Sequence, residues 1–197
     1  LEAKHPRAIR WMHWINFPVL TLMIWSGLLI FWASDGYEFT LFGFTIQIFP
    51  DWFYKGLGLE RGLALGMAWH FFLMWFFAIN GVVYVTYTAI SGEWRFLLPN
   101  RKTPHEAWDV VLHDLRIRKT PLPKQKFNGA QRLAYTGVVA MGAGSLITGL
   151  AIYKPVQFGW LTWLLGGYSW ARGEHFLLTV GYVSFFLIHI AQVIRAG

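Results

Sequence analysis

Four long stretches of the chain contain no Asp, Glu, Lys or Arg and are dominated by apolar residues: 11–34, 62–92, 133–153 and 175–194. A transmembrane helix needs about 20 such residues. Lipid cannot hydrogen-bond an open backbone, so each stretch predicts a membrane-spanning helix. The predicted helices cover about 9–34, 63–91, 129–153 and 173–195. The fold class is therefore all-α, with residues 1–197 forming one integral membrane domain, a four-helix bundle.

Two further apolar segments are ambiguous. Residues 155–171 begin at a proline and contain Gly166-Gly167, which favours an interfacial or partly re-entrant segment over a fifth span. The segment 36–50, between the first two helices, leaves the same alternatives open. Pro18 lies early in the first predicted helix and predicts a kink there.

The second loop, residues 93–131, is the most polar part of the chain. Thr103-Pro104 has the composition of a helix start, and residues 105–115 have helical periodicity. Pro121 and Pro123 are expected to end this helix. We predict a short amphipathic helix at the membrane surface.

The distribution of basic residues predicts the orientation. Thirteen of the 17 Lys and Arg lie on the side shared by the N-terminal segment, the second loop with Arg132 next to it, and the C-terminal segment. The opposite side has only Lys55, Arg61, Lys154 and Arg172. The positive-inside rule places both termini in the cytoplasm. It also explains the net charge of +7 without a nucleic-acid partner, so the expected surroundings are a lipid bilayer.

Composition narrows the chemistry. The chain has no Cys, which excludes disulfides, iron–sulfur clusters, thiolate-bound zinc and covalently attached haem. Seven His remain as candidate metal ligands. We expect no cleavable signal peptide, because the first apolar run is too long and lacks a small-residue cleavage site. The absence of an initial Met suggests trimmed ends.

Four of the histidines lie inside predicted spans at matched depths. His13 is near the cytoplasmic end of the first helix, and His70 is in the outer third of the second. His175 and His189 lie 14 residues apart on the fourth helix, so they share one face and are separated by about 21 Å along the axis. The depths pair His13 with His189 at the inner level and His70 with His175 at the outer level.

Two imidazoles on opposite sides of one iron describe a six-coordinate b-type haem, so the four His predict two non-covalent haems b. Gly27 lies 14 residues after His13, at the outer level. The third helix supplies glycines that would admit either a flat macrocycle or a neighbouring helix: Gly137, Gly142, Gly144 and Gly149. A single intramembrane His could equally serve packing, whereas four at matched depths favour haem. His5, His105 and His113 are expected at the solvated surface.

Short motifs accompany these histidines: His5-Pro6, Arg10-Trp11-Met12-His13-Trp14, Trp69-His70 and the sequence Lys-Phe-Asn-Gly-Ala-Gln-Arg at 126–132. With the His175/His189 pair, they resemble the bacterial di-haem cytochromes b. This family includes cytochrome b561 and the cytochrome b subunits of nickel–iron hydrogenases, formate dehydrogenases and thiosulfate reductases. The resemblance covers nearly the whole chain. The histidine pattern is specific, whereas the individual short motifs are not.

The resemblance implies an electron-transfer subunit of the bacterial inner membrane, working between an extracytoplasmic redox subunit and the quinone pool. Such a chain is not catalytic on substrate alone. The sequences at 153–156 and 191–193 are similar to those of cytochromes that accompany molybdopterin oxidoreductases. The resemblance also implies a quinone site near His189, formed by Asn128, Gly129 and Gln131. A turn and helix cap is the alternative role of Asn128-Gly129.

Arginines near the inner level are candidates for the haem surroundings. Arg10 and Arg132, together with Arg7, have the forked donors that suit haem propionates, although anchoring to lipid headgroups explains them equally well. Two alternative functions stay open. One is a self-sufficient superoxide:quinone oxidoreductase of the same fold, although the predicted outer loops are not basic. The other is a transporter that uses His for protons or metals.

Overall fold

The computed structural model describes residues 5–33, 38–41, 44–47, 50–59, 62–118 and 125–196. In chain order the elements are α1 (Arg7–Ala33), β1 (Glu38–Leu41), β2 (Phe44–Gln47), α2 (Asp51–Leu57), α3 (Leu63–Ser91), α4 (Trp94–Leu97), α5 (Thr103–Asp114), α6 (Gly129–Tyr153), α7 (Gly159–Leu164) and α8 (Tyr168–Ala196).

Four helices in the described part of the chain, α1, α3, α6 and α8, are long and apolar enough to cross a membrane. This confirms the four predicted spans. The last helix begins at Tyr168, earlier than the predicted start at residue 173. α1 is continuous through Pro18. The exposed faces of these four long helices are rich in large apolar side chains, which suits a lipid environment.

A short β-hairpin is the exception to the predicted all-α class. β1 pairs antiparallel with β2, with Glu38 opposite Gln47 and Leu41 opposite Phe44. Phe, Thr and Ile are frequent in this segment and favour strands. The ambiguous segment 36–50 therefore contains a hairpin, although residues 36, 37, 42, 43, 48 and 49 lie outside the described residues.

The second ambiguous segment, 155–171, is not a fifth span. α7 has only six residues, and a turn with positive φ at Gly166 (79°) and Gly167 (106°) separates it from α8. The Thr162 hydroxyl donates to the Ala151 carbonyl at 3.1 Å. This hydrogen bond holds α7 against the end of α6.

The chain divides into two compact units, and residues 1–84 form the first. Within it, α1 and α3 approach closely where α3 lacks a side chain. A Cβ added at Gly66 would lie 2.7 Å from the Leu29 Cβ and 2.9 Å from the Ser26 carbonyl oxygen. Nearer the start of α1, the Asn80 side-chain amide donates to the Met12 carbonyl at 3.1 Å. α3 thus contacts α1 near both ends of α1.

Residues 85–197 form the second unit. α6 packs against α8 at small residues: a Cβ at Gly181 would lie 2.9 Å from the Met141 sulfur. α5 begins at Thr103 as predicted and ends at Asp114. Pro121 and Pro123, expected to end it, lie outside the described residues. The Asp114 carboxylate accepts from the Gln192 side-chain amide at 2.8 Å, which ties the end of α5 to α8.

Candidate functional site

Each of the four intramembrane histidines lies about two turns from a helix end. His13 is six residues after Arg7 at the start of α1, and His70 is seven after Leu63 at the start of α3. On α8, His175 is seven residues after Tyr168, and His189 is seven before Ala196. This corresponds to about 9–11 Å of depth along each helix. The pairing of these histidines by depth stays a prediction.

In the first unit, α1 holds the ring of His70 on α3. The His70 Nδ1 lies 3.1 Å from the hydroxyl oxygen of Ser26. Ser26 is fully buried, and its hydroxyl also donates to the Met23 carbonyl, one turn earlier, at 3.0 Å. The imidazole is thus linked through a hydroxyl to the α1 backbone.

In the second unit, α6 holds the ring of His175 on α8 in the same way. The His175 Nδ1 lies 2.8 Å from the hydroxyl oxygen of Thr148. Thr148 is buried, and its hydroxyl donates to the Gly144 carbonyl, one turn earlier, at 2.7 Å. Each histidine of the predicted outer pair therefore has its Nδ1 bonded to a buried hydroxyl of an adjacent helix.

A glycine follows each of these hydroxyl residues and lies against the same ring. A Cβ added at Gly27 would be 3.5 Å from the His70 Cε1, and one at Gly149 would be 3.3 Å from the His175 Cε1. Sequence reasoning chose Gly27 by its depth, and the structure places it beside a predicted haem ligand. It missed Ser26 and Thr148, although a Ser-Gly or Thr-Gly pair at the level of a histidine was a usable signal.

The predicted inner histidines lie beside aromatic rings of their own helices. His13 is exposed and makes an edge contact with Trp14, with ring centroids 5.6 Å apart. His189 stacks on Phe185, with centroids 5.9 Å apart and ring planes within 7°. In the described residues, the predicted inner histidines thus contact aromatic rings, whereas the predicted outer histidines bond to buried hydroxyls.

The residues assigned to quinone form a helix cap. The Asn128 side-chain oxygen accepts from the Gln131 backbone N–H at 2.9 Å, and the Gln131 side chain accepts from the Asn128 N–H at 3.1 Å. This capping box satisfies donors at the start of α6. The structure therefore supplies the alternative role considered for Asn128.

Gly129 also has a packing role. It is buried, and a Cβ there would lie 2.6 Å from the Ala107 backbone nitrogen and 2.7 Å from the Thr103 carbonyl oxygen. Its missing side chain admits α5, and the approach of a quinone to the Gly129 backbone stays a prediction. Beside it, the Glu106 Oε2 is buried and has no hydrogen-bond partner among the described residues.

The remaining candidate residues have ordinary surface contacts. Arg10 is exposed, whereas Arg132 is half-buried and its Nε donates to the Phe127 carbonyl at 3.4 Å. His105 is exposed and pairs with Asp109 at 3.3 Å, as expected for a surface residue. His113 and His5 are both half-buried.

No group of three or more His, Asp or Glu among the described residues could hold a metal ion. A hydrogen bond at Nδ1 favours a ring whose Nε2 lone pair faces a metal, a common arrangement for ligating His. With a glycine beside each outer ring, the residues fit a haem.

Membrane-spanning helices with histidines in such positions are typical of membrane cytochromes of the b type. A family model described as prokaryotic cytochrome b561 matches residues 4–197, and the chain belongs to that family. The haem predicted from the histidines is accordingly haem b.

Among curated proteins, the chain is similar to the putative protein-methionine-sulfoxide reductase subunit YedZ1 of Azospira oryzae. The two are 31% identical over 194 residues, which cover 98% of this chain and 91% of the relative. No solved structure matches the chain.

Proposed function

We propose that this chain is the membrane electron-transfer subunit of an oxidoreductase complex, connecting the quinone pool with an extracytoplasmic partner through two b haems. The observation that carries the proposal is the matching pair of hydroxyl-bonded imidazoles at His70 and His175. Intramembrane ionisable residues held by such specific bonds suit a functional site better than general packing.

The haem ligands in this proposal are His13 with His189 on the inner side and His70 with His175 on the outer side. The pairing rests on depth along the helices. A bound b haem supplies one-electron chemistry by cycling its iron between the ferric and ferrous states. Two of the four imidazoles would hold each haem, and the apolar side chains of the helices would limit the access of water to it.

The partner is proposed from the relative, whose name describes a protein-methionine-sulfoxide reductase subunit. Reduction of a sulfoxide to a sulfide and water consumes two electrons and two protons. Oxidation of a quinol to a quinone releases the same number of each. The balance supports electron flow from quinol, through this chain, to a partner that reduces methionine sulfoxide and carries a molybdopterin.

The proposed location is the bacterial inner membrane, with both termini in the cytoplasm. The support is the excess of Lys and Arg on the side shared by the termini and the second loop. This orientation places the starts of α3 and α8, with His70 and His175, towards the extracytoplasmic partner.

The proposed quinone site adjoins the start of α6. The cap directs the Asn128 side-chain oxygen at the helix, so the Nδ2 amide is the group suited to donate to a quinone carbonyl. Glu106 is half-buried, and its buried Oε2 next to Gly129 is the proposed acceptor for a proton released by quinol. Gln131 contributes by orienting Asn128.

Single His→Ala variants of the purified protein test the proposal. His70→Ala and His175→Ala should each lose the outer haem, and His13→Ala and His189→Ala the inner one, because an axial ligand is missing. His105→Ala is the control and should keep two haems per chain. Reduction of the haem spectrum by a quinol, followed by re-oxidation with the co-purified partner and methionine sulfoxide, checks the direction. Retention of both haems in all four variants would refute the site.

A further inference from the structure

Two hydroxyl groups, one in each unit, make the same set of contacts. Each donates to a carbonyl one turn earlier on its own helix and contacts the Nδ1 of a histidine on another helix. A glycine follows each hydroxyl residue and lies against the same imidazole. The repetition involves different helices and different hydroxyl residues, Ser26 and Thr148.

We propose that the Ser26 and Thr148 hydroxyls are positioning residues that accept a hydrogen bond from the Nδ1–H of His70 and His175 and thereby lower the midpoint potential of the outer haem. The inference rests on the proposed function, because it takes these two histidines as the ligands of one haem. It adds two residues and a role in tuning the potential.

The direction of the hydrogen bonds follows from the count of hydrogens. A hydroxyl has one hydrogen, and a carbonyl oxygen can only accept. The Thr148 hydroxyl lies 2.7 Å from the Gly144 carbonyl oxygen, so its hydrogen belongs to that bond. The His175 Nδ1, 2.8 Å from the same hydroxyl, must then be the donor. At Ser26 the Met23 carbonyl lies at 3.0 Å and the His70 Nδ1 at 3.1 Å. The His70 ring also bonds to the Met23 carbonyl, which can only accept, so His70 is again the donor.

A ring that carries its proton on Nδ1 has its lone pair on Nε2, the form that ligates iron. The hydrogen bond fixes the ring orientation and raises the basicity of the ligand. A more basic imidazole stabilises ferric over ferrous iron. Because each hydroxyl also donates to a carbonyl, it is polarised into a better acceptor. Removal of either hydroxyl should therefore raise the outer-haem potential.

Gly27 lies beside the His70 ring, and Gly149 lies beside the His175 ring. An added Cβ at Gly149 would lie 3.3 Å from the His175 Cε1, which is a tight contact, and one at Gly27 would lie 3.5 Å from the His70 Cε1, which is an ordinary van der Waals contact. The hydroxyl sets the rotation of each ring and the glycine admits it. A Ser-Gly or Thr-Gly pair is thus a compact device for holding an axial histidine.

The test is a redox titration of the purified holoprotein, with Ser26→Ala and Thr148→Val compared with the unaltered chain. Each variant should shift the outer-haem reduction equilibrium by about tenfold towards the ferrous state, which is about 59 mV for one electron. The double variant should shift it further. The inner-haem potential should stay constant. The low-spin electron paramagnetic resonance signal of the outer haem should also change, because it reports the orientation of the imidazole planes.

Thr21→Val and Ser184→Ala are matched controls. Both hydroxyls donate to a carbonyl of their own helix, at 2.8 Å and 2.9 Å, and lie on exposed surface. Neither control should move the potential. Unchanged potentials and resonance signals in Ser26→Ala and Thr148→Val, with both haems present, would overturn the inference.

Thr148→Ser keeps the hydroxyl and separates positioning from packing. If Thr148→Val loses the outer haem altogether, retention of that haem and its potential in Thr148→Ser supports the inference, and equal loss overturns it. Failure of the proposed function has a different signature, because the unaltered protein would then contain fewer than two haems.

Discussion

Asn128 caps a helix and is also the proposed donor to quinone, and these two roles can be separated by substitution. Asn128→Leu removes the side-chain oxygen that accepts from the Gln131 N–H at 2.9 Å. Loss of such a cap costs about 1 kcal/mol. For a chain of this size, that lowers the melting temperature by roughly 2–4 °C. Any loss of quinone reactivity in this variant would therefore mix a damaged helix start with a missing donor.

Asn128→Asp and Asn128→Ser avoid this difficulty. Both keep an oxygen that can cap α6, and neither has an amide N–H. If the Nδ2 amide donates to a quinone carbonyl, its loss should slow electron exchange with quinone roughly fivefold, the equivalent of about 1 kcal/mol. The Ser variant also excludes an effect of the negative charge that Asp introduces.

The assay follows re-oxidation of reduced haem by an added short-chain quinone in a stopped-flow instrument, alongside a thermal melt of each variant. We expect near-normal melting and slow re-oxidation for the Asp and Ser variants, and a lowered melting temperature for Leu. Normal re-oxidation rates in both the Asp and Ser variants would refute a quinone site at the start of α6. Normal melting of the Leu variant would refute the cap energetics.

Three further predictions concern packing, the haem environment and orientation. Gly129→Ala should lower the free energy of unfolding by about 1–3 kcal/mol because its Cβ would meet the α5 backbone. Gly159→Ala is the control, since Gly159 is also the first residue of its helix and has no atom within 4 Å of an added Cβ. Equal melting temperatures of the two variants would contradict this packing. Gly149→Ala should perturb the outer-haem spectrum more than Gly27→Ala, because its Cβ would lie 3.3 Å from the His175 Cε1, whereas that of Gly27→Ala would lie 3.5 Å from the His70 Cε1. The opposite order would contradict the observed positions of the two rings beside these glycines. Green fluorescent protein fused to the C-terminus should fluoresce, whereas alkaline phosphatase activity from a fusion at the same position would contradict a cytoplasmic C-terminus.

The four spans could be predicted from sequence because a charge inside lipid is costly and the charge-free runs are long. The histidine depths followed from the same boundaries, since helical rise is regular. The hairpin of β1 and β2 could not be predicted with the same certainty, because four-residue strands are too short to establish a period.

The contacts of Ser26 and Thr148 with the two histidines could be found only from the three-dimensional structure. A Ser or Thr inside a helix commonly bonds to its own backbone, and both residues do so here. Whether the hydroxyl oxygen also reaches a histidine depends on the rotation and crossing of two helices, which hydrophobic pattern alone does not specify. Gly129 was selected because its backbone is open to close approach, and the structure adds that the α5 backbone lies against it.

The most direct test of the proposed di-haem centre is the haem content of the purified protein, measured by the pyridine haemochrome method against protein concentration. We predict two acid-extractable haems b per chain, falling to one in His175→Ala and staying at two in His105→Ala. One haem or none in the unaltered, fully loaded protein would contradict the proposal, as would two haems in His175→Ala.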